Sequence, residues 1–110
     1  MIINATPHAI VLLDDCDAVI QTFSPSGLLP RIVEEDRPSN PIEGFEAISR
    51  IYAGLEGLPG VNSDTIYIVS AMVLAAARTI GRSDCCAPDT GSGAVRDGAG
   101  RIIGTRRFVR

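Results

Sequence analysis

Short apolar runs separated by turn residues make up the beginning of the chain. Residues 2–4 and 9–13 are apolar runs split by Pro7. This predicts two strands with a kink between them, because proline removes a hydrogen-bond donor from a strand ladder. Residues 14–17 predict a turn and residues 18–23 predict the next strand. We therefore expect the chain to begin as a β-hairpin.

Proline and glycine interrupt the apolar pattern between residues 24 and 44. Residues 24–27 predict a turn, and residues 28–34 predict a strand that is interrupted at Pro30. Residues 37–44 hold two prolines, a serine and an asparagine. That composition predicts an exposed loop.

Residues 45–55 fit two different predictions. Phe45, Ile48 and Ile51 have the spacing of one face of a helix. Gly54 and the lack of a capping residue argue against a helix here. We therefore predict an extended pair for this stretch.

The clearest local signals lie in the second half of the chain. Residues 65–69 are all β-branched or aromatic, which predicts a central buried strand. Residues 70–81 predict the one helix, because Ser70 is a favoured N-cap, helix formers follow it, and Gly81 suits a left-handed cap. The helix is apolar nearly all round up to Arg78, so we expect it to be buried on most sides, between the sheet and a second subunit.

In the C-terminal third, residues 82–94 predict a loop. Residues 95–97 lead into a predicted glycine turn at residues 98–100. Residues 101–110 then predict a final strand. We expect one domain over residues 1–110 of the α+β class. Its predicted architecture is a strongly twisted, mostly antiparallel β-sheet with one buried α-helix at about residues 70–81.

The length of 110 residues leaves room for one hydrophobic core. Folding buries about 65% of the surface that an unfolded chain of this mass exposes. Burial of that extent stabilises a single chain by only a small margin, which favours a homo-oligomer, a dimer or higher. The longest apolar run, residues 66–77, is shorter than the roughly 20 residues of a membrane span. Residues 1–8 lack the basic start of a signal peptide. We therefore expect a cytoplasmic protein without a membrane partner.

Charge is divided unevenly along the chain. Residues 1–77 hold three arginines and ten acidic residues, a net charge of −7, whereas residues 78–110 hold seven arginines and three aspartates, a net charge of +4. Lysine is absent; guanidinium groups suit two-pronged contacts with phosphate or carboxylate, although a GC-rich genome would also favour arginine codons. The overall charge of −3 argues against a nucleic-acid partner.

The string Asp-Thr-Gly-Ser at residues 89–92 matches the signature of aspartic proteases. We do not expect that function, because Ala87 and Pro88 precede the aspartate in place of a hydrophobic strand near the start of the chain, and only 21 residues follow it. Either the string is a turn in which Asp89 bonds its own backbone, or it is a loop whose N–H groups and hydroxyls bind an anion. The predicted phosphate ligands are Arg96, Arg106 and Arg107, and the predicted ribose or base ligands are Asp89, Thr90 and Ser92.

Two further places carry candidate ligand-binding residues. Asn4, Thr6 and His8 are predicted to form a second wall of the binding site, although a structural role for His8 at the tip of a turn is the plainer interpretation. Ser70 heads the predicted helix, where backbone N–H groups attract anions, and its plainer role is that of an N-cap.

The residue types that carry most enzyme chemistry are scarce. One histidine cannot build a histidine metal site within the chain. Three cysteines, Cys16, Cys85 and Cys86, fit neither a disulfide framework nor a zinc knuckle, and we expect reduced thiols. We therefore expect a protein that is not an enzyme and needs no metal or cofactor.

Seven strings follow one another along nearly the whole chain: Asn-Ala-Thr-Pro-His at 4–8, Pro-Ser-Gly at 25–27, Glu-Gly-Leu-Pro at 56–59, Tyr-Ile-Val-Ser at 67–70, Ala-Pro-Asp-Thr-Gly at 87–91, Val-Arg-Asp at 95–97 and Gly-Arg-Ile-Ile-Gly at 100–104. In this order they resemble a widespread family of small proteins of tailed phages and prophages. Residues 35–55 depart most from that pattern, in which a proline-rich, strand-forming stretch is expected.

The resemblance implies a class of function by analogy. Small accessory phage proteins include sponges for cyclic nucleotide or ADP-ribose-derived signals, which host TIR or cyclase enzymes make in Thoeris and CBASS defence. The chain is similar to them in size, acidic balance and arginine-bearing segments. The expected function is sequestration of a phosphorylated nucleotide signal in the cytoplasm of the infected host. The alternative is inhibition of a host protein, which predicts an exposed apolar patch.

Overall fold

The structure is a computed structural model that describes residues 1–110. Strands take up 48% of the residues and one helix takes up 8%, which places the protein in the predicted α+β class. The elements in chain order are β1 (Ile2–Asn4), β2 (Ile10–Leu13), β3 (Val19–Phe23), β4 (Arg31–Ile42), β5 (Phe45–Glu56), β6 (Ile66–Ile68), α1 (Ala71–Thr79), β7 (Cys85–Pro88), β8 (Ala94–Arg96), β9 (Ile102–Thr105) and β10 (Phe108–Val109).

The first sheet has the strand order β1-β6-β7-β10. Strand β6 lies in its centre and runs parallel to both β1 and β7, while β10 pairs antiparallel with β7. Tyr67, Ile68 and Val69 are buried, as expected for a strand that is covered on both faces. The predicted central buried strand at residues 65–69 is thus confirmed.

The second sheet has the order β3-β2-β9-β8. Strands β2 and β3 form the predicted antiparallel hairpin, and β2 also pairs with β9 in parallel. The backbones approach closely at Gly104, where a Cβ atom would lie 2.8 Å from the carbonyl oxygen of Val11. Over the whole molecule four strand pairs are antiparallel and three are parallel. In place of the one mostly antiparallel sheet that was predicted, the chain forms two mixed four-stranded sheets and one antiparallel pair of strands.

Strands β4 and β5 form a separate two-stranded ribbon, which we call the arm (residues 31–56). The extended conformation predicted for residues 45–55 is confirmed, but the predicted pair is wrong, because these residues form one continuous strand that pairs with β4. The loop predicted at residues 37–44 is wrong, because strand β4 continues to Ile42 and the connection is a two-residue turn with positive φ angles of 51° and 84°. Proline is tolerated in β4 because both strands of a ribbon are edge strands.

Helix α1 begins and ends as its caps predict. The Ser70 side chain accepts a hydrogen bond of 3.2 Å from the backbone N–H of Val73, and Gly81 has a φ of 80°. One face of the helix packs on the first sheet, with Val73, Leu74, Ala76 and Ala77 buried. Met72, on the other face, is 59% exposed, so a single chain buries the helix on one side.

Two predictions for the C-terminal third are wrong. The loop predicted over residues 82–94 contains β7, whose buried residues Cys85 and Cys86 extend the parallel ladder beside β6. A buried strand therefore directly precedes Asp89, which the sequence analysis did not expect. The final strand predicted over residues 101–110 is two strands, since β9 belongs to the second sheet and β10 to the first. Residues 106 and 107 carry the chain from one sheet to the other.

The core is small for the length of the chain. Only 20 of 110 residues are buried. The larger apolar cluster lies between α1 and the first sheet, and the smaller one contains Phe23, Ile68 and Cys86. The radius of gyration is 17.2 Å, against about 13 Å for a compact domain of this length, because the arm projects from the body. No helix in the structure is both long and apolar enough to cross a bilayer.

Candidate functional site

The Asp89 loop, residues 89–93, is closed by the carboxylate of Asp89. Its Oδ1 accepts the N–H of Gly91 at 2.8 Å, and its Oδ2 accepts the N–H of Gly93 at 3.0 Å and Nε of Arg107 at 2.7 Å. The hydrogen bond from Arg107, and then those from the backbone, hold the pKa of Asp89 below its ordinary value. The carboxylate therefore serves the turn itself, as the plainer sequence interpretation has it.

Arg107 is part of the same loop structure. Besides Asp89, its guanidinium donates to the hydroxyl of Ser92. Gly93 is needed here because a Cβ atom would lie 2.6 Å from Oδ2 of Asp89. The loop thus brings together four residues that were predicted as ligands, and Arg107 is hydrogen-bonded to two of the others, Asp89 and Ser92.

The other two predicted phosphate ligands lie elsewhere. Arg106 donates to the main-chain oxygen of Asp14 and to the carboxylate of Asp17, in the turn between β2 and β3. Arg96 donates to the main-chain oxygen of Gly100 at 2.8 Å, in the turn between β8 and β9. Arg96, Arg106 and Arg107 therefore hold three different turns. The prediction that they gather around one cavity is not met within one chain, since successive side chains along an extended segment point in opposite directions.

Asn4 and Thr6, predicted to form a second wall of the binding site, are instead buried and bind groups of the chain itself. The Nδ2 group of Asn4 donates to the main-chain oxygens of His8 at 2.7 Å and Phe23 at 2.8 Å, and Oδ1 accepts from the N–H and hydroxyl of Thr6 at 2.9 and 2.6 Å. Asn4 is 2% exposed and its amide is fully bonded. The His8 side chain is exposed and bonds nothing. Ser70 acts as the N-cap of α1.

A cleft of about 210 Å³ lies beside the Asp89 loop. Residues 9–11, 88–90 and 102–105 line it, and half of them are hydrophobic. We call it the apolar cleft. Of the predicted ligand residues, Asp89 and Thr90 lie on its wall, and no arginine does.

A second cavity, of about 320 Å³, lies where α1 ends. We call it the arginine cavity; its lining consists of Leu74, Arg78, Gly81, Arg82, Ser83, Cys85 and Arg110. Three of the seven lining residues carry guanidinium groups, and none is acidic. Its size falls in the range of small-molecule sites, roughly 300–1,000 Å³.

Arg82 is the fixed wall of this cavity. Its Nε and Nη2 donate to the two oxygens of Asp84 at 3.0 and 2.8 Å, and its guanidinium carbon lies 6.0 Å from the centre of the Tyr67 ring. The two side chains are only 13% and 6% exposed. Their hydrogen bond lowers the pKa of Asp84 and raises the pKa of Arg82, so both are charged. Nη1 of Arg82 has no partner in the chain.

Arg78 and Arg110 are exposed, and the hydrogen bonds of each guanidinium go to main-chain oxygens. Arg78 donates to the main-chain oxygen of Arg110, and Arg110 donates to the main-chain oxygen of Ser83 at 3.3 Å. Neither forms an ion pair with an acidic side chain. The lining of this cavity therefore holds three guanidiniums and no acidic side chain, with the carboxylate of Asp84 behind them and one Arg78 donor already directed at the main-chain oxygen of Arg110. The excess positive charge can bind a multivalent anion.

Capping weakens the repulsion that the C-terminal end of α1 exerts on an anion. The last carbonyl groups of α1 accept hydrogen bonds from within the chain: Ala76 from Ile80, Ala77 from Arg82 and Arg78 from Gly81, at 3.3, 2.9 and 3.0 Å. A cap of this kind satisfies groups that would otherwise present partial negative charge.

The sequence analysis did not predict this cavity, although part of the signal for it is present in the sequence. The net charge of +4 over residues 78–110 and the spacing of Arg78 and Arg82 across the helix cap are visible in the sequence. Arg110 joins them because β10 pairs with β7, with Val109 opposite Ala87. Nothing local in the chain indicates that pairing.

Two of the three cysteines, Cys85 and Cys86, are buried thiols. All three are free. Burial, and then the charge of Asp84, raises the pKa of Cys85 to about 11, and burial also raises the pKa of Cys86. Both thiols are therefore protonated at neutral pH. No group of histidine, cysteine, aspartate or glutamate residues is arranged to hold a metal ion.

Comparison with known proteins finds no family model, no curated protein and no solved structure that matches this chain. The likeness to small phage proteins consequently rests on the sequence strings alone. The site is judged on its own geometry.

Proposed function

We propose that this protein is a non-enzymatic binding protein that sequesters a phosphorylated nucleotide-type small molecule. The observation that carries the proposal is the arginine cavity, in which three guanidiniums and no acidic residue line one hollow. Arg78 and Arg110 bind the phosphates from the exposed side, and Nη1 of Arg82 binds them from the fixed wall.

The energetics of sequestration fit such a site. Nanomolar binding requires about 12 kcal/mol, and a hydrogen bond to a charged group contributes roughly 1.5–3 kcal/mol. Three guanidiniums therefore supply part of the affinity, and contacts with the sugar and base supply the rest. Leu74 offers apolar surface in the same cavity.

The phage setting of the proposal comes from the sequence resemblance. In that setting the protein acts in the cytoplasm of an infected bacterium, and its ligand is a cyclic nucleotide or an ADP-ribose derivative made by host defence enzymes. The proposal also includes a homo-oligomer. A second copy would cover the exposed face of α1 at Met72, and so provide the helix burial that the sequence predicts.

Titration calorimetry with a panel of ligands tests the proposal. The panel consists of cyclic dinucleotides, cyclic ADP-ribose isomers and ADP-ribose adducts, with inorganic pyrophosphate as a probe for anion binding alone. Arg78→Gln and Arg110→Gln are each expected to weaken the bound ligand about tenfold or more, because each removes a charge-assisted hydrogen bond. Arg101→Gln is the matched control, since its exposed guanidinium bonds no other group.

Three results would overturn the proposal. The first is silence across the whole panel with folded protein. The second is a ligand whose affinity is unchanged in both cavity variants. The third is equal weakening by Arg101→Gln, which would show a general effect of charge rather than a site.

Inhibition of a host protein is the second candidate function. The observation in its favour is the exposed apolar tip of the arm, where Ile42 and Phe45 are 67% and 72% exposed. A host protein that co-purifies in equal amount with the tagged chain, and is lost with Phe45→Asp, would support this function over ligand binding.

A further inference from the structure

The outer half of the arm has little support within a single chain. Its two strands of twelve residues pair only with each other. A two-stranded ribbon in water is marginally stable at best without a third strand or a packed face. The root is fixed, because Ile32 and Leu55 pack on the main core. The outer half has no such support.

The tip of the arm is apolar where a solvated hairpin would be polar. Ile42 and Phe45 lie opposite each other across the turn formed by Glu43 and Gly44. Both apolar side chains are largely exposed, and Ile48 follows on the same strand. The two-residue turn, in which Glu43 and Gly44 both have positive φ angles, holds these side chains at the end of the arm.

The accessible surface area of the chain indicates how much surface a second copy could cover. The accessible surface is 7270 Å², which is about 1,400 Å² more than a compact chain of this mass exposes. If two copies each buried that excess, the interface would total about 2,800 Å², which is within the range of obligate dimers.

The charges favour a second copy as the occupant. The arm holds six acidic residues and three arginines, a net charge of −3, whereas residues 78–110 carry +4. Of the arginines in that stretch, Arg96 and Arg101 adjoin strand β9 and form no ion pair, so that edge of one copy is complementary to the acidic arm of another. Such complementarity favours a defined encounter.

The apolar cleft is the place on that surface that suits the tip. It is lined by Ile102 and Ile103, which are half exposed, and by Ile10. Arg107, with 61% of its side chain exposed, lies beside it on Asp89. We propose that the arm tip of one copy inserts Ile42 and Phe45 into the apolar cleft of a second copy, with Glu43 or Glu46 near Arg107.

Sedimentation velocity over a concentration series tests whether the arm makes the assembly. The full-length protein is expected to sediment as an oligomer. Ile42→Asp and Phe45→Asp should each raise the dissociation constant at least about tenfold, as for a central apolar anchor. Val61→Asp is the control, because Val61 is equally exposed but lies outside the arm. Circular dichroism verifies that each variant is folded.

Cross-linking tests where the tip docks. In a Cys16→Ser background, which leaves only the buried Cys85 and Cys86, one preparation carries Glu46→Cys and another carries Thr90→Cys. After mixing, a short bis-maleimide is expected to link the two preparations to each other. Links between Glu46→Cys chains alone would overturn docking in the cleft.

The remaining outcomes also decide the matter. A monomer at every concentration, tip variants that assemble normally, or assembly lost equally with Val61→Asp would each overturn the inference. A host protein bound to the tip in place of a second copy would overturn it as well. Ligand binding at the arginine cavity is measured separately, so its failure does not affect this result.

Discussion

The Asp89 loop and the arginine cavity use the same residue types in different ways. In the Asp89 loop one guanidinium and one carboxylate bind each other and two backbone N–H groups, so the charges cancel inside a turn. In the arginine cavity a similar pair, Arg82 and Asp84, forms the wall, and Arg78 and Arg110 add positive charge that no acidic side chain neutralises. A binding site for an anion requires positive charge that is not already neutralised by ion pairs within the fold.

The difference also separates a local motif from a tertiary site. All groups of the Asp89 loop except Arg107 come from one stretch of five residues. The cavity combines the end of α1, the residues before β7 and the end of the chain.

Removing the buried carboxylate is expected to have the largest effect. Asp84→Ala leaves Arg82 charged and unpaired in a nearly closed environment, and we expect it to lower the free energy of unfolding by about 3 kcal/mol. Urea unfolding measures this change. Asp15→Ala, at an exposed residue without side-chain partners, is the control and should change little. Equal stabilities for the two variants would refute the structural role of the pair.

Acid should weaken the fold through the same carboxylate. The pKa of Asp84 is lowered in the folded state, so the unfolded chain binds the proton more readily. Its contribution is fully present above about pH 5 and is lost as the pH falls through the lowered pKa. Asp84→Asn should therefore be less stable at neutral pH and lose less stability on acidification. Parallel stability curves for the two proteins would contradict this.

The Asp89 loop should be sensitive to volume and irrelevant to the proposed ligand. Gly93→Ala places a methyl group 2.6 Å from Oδ2 of Asp89, and we expect a loss of about 1–3 kcal/mol of stability. Gly98→Ala, where a Cβ atom has open space, is the control. Thermal unfolding and calorimetry together check this prediction. A ligand that binds Gly93→Ala much more weakly would move the site to the Asp89 loop.

The smallest effect is expected at Arg96. Its guanidinium bonds only the oxygen of its own turn, at Gly100, and Arg96→Ala should change the stability by no more than about 0.5 kcal/mol. Ligand affinity should stay within about twofold, because the residue lies outside the arginine cavity. A large loss of affinity would instead support the original sequence prediction for this arginine.

Much of the site could not be predicted because arginine side chains have no local preference for a partner. Arg106 and Arg107 are adjacent in sequence but bind turns on opposite sides of the segment. Asn4 was predicted as part of a second wall of the binding site, whereas it is buried and its amide binds groups of the chain itself. The charge asymmetry was informative, whereas the choice among seven arginines required the fold.

The arm shows the same limit in the fold. Prolines at positions 38 and 41 indicate a loop when only local propensity is considered. Pairing with β5 places them in an edge strand, where a missing N–H is tolerated. The sequence therefore indicated extended structure for β5 and missed its partner.

The sequence by itself determined the elements whose causes are local. Ser70 and Gly81 define the ends of α1, the turn at residues 14–17 closes the first hairpin, and β-branched residues make β6 a central strand. The tertiary structure alone decided that β10 crosses to the first sheet and brings Arg110 to Arg78 and Arg82. Caps and turns are settled by neighbours within a few residues, whereas strand pairing and shared cavities depend on contacts far apart in the chain.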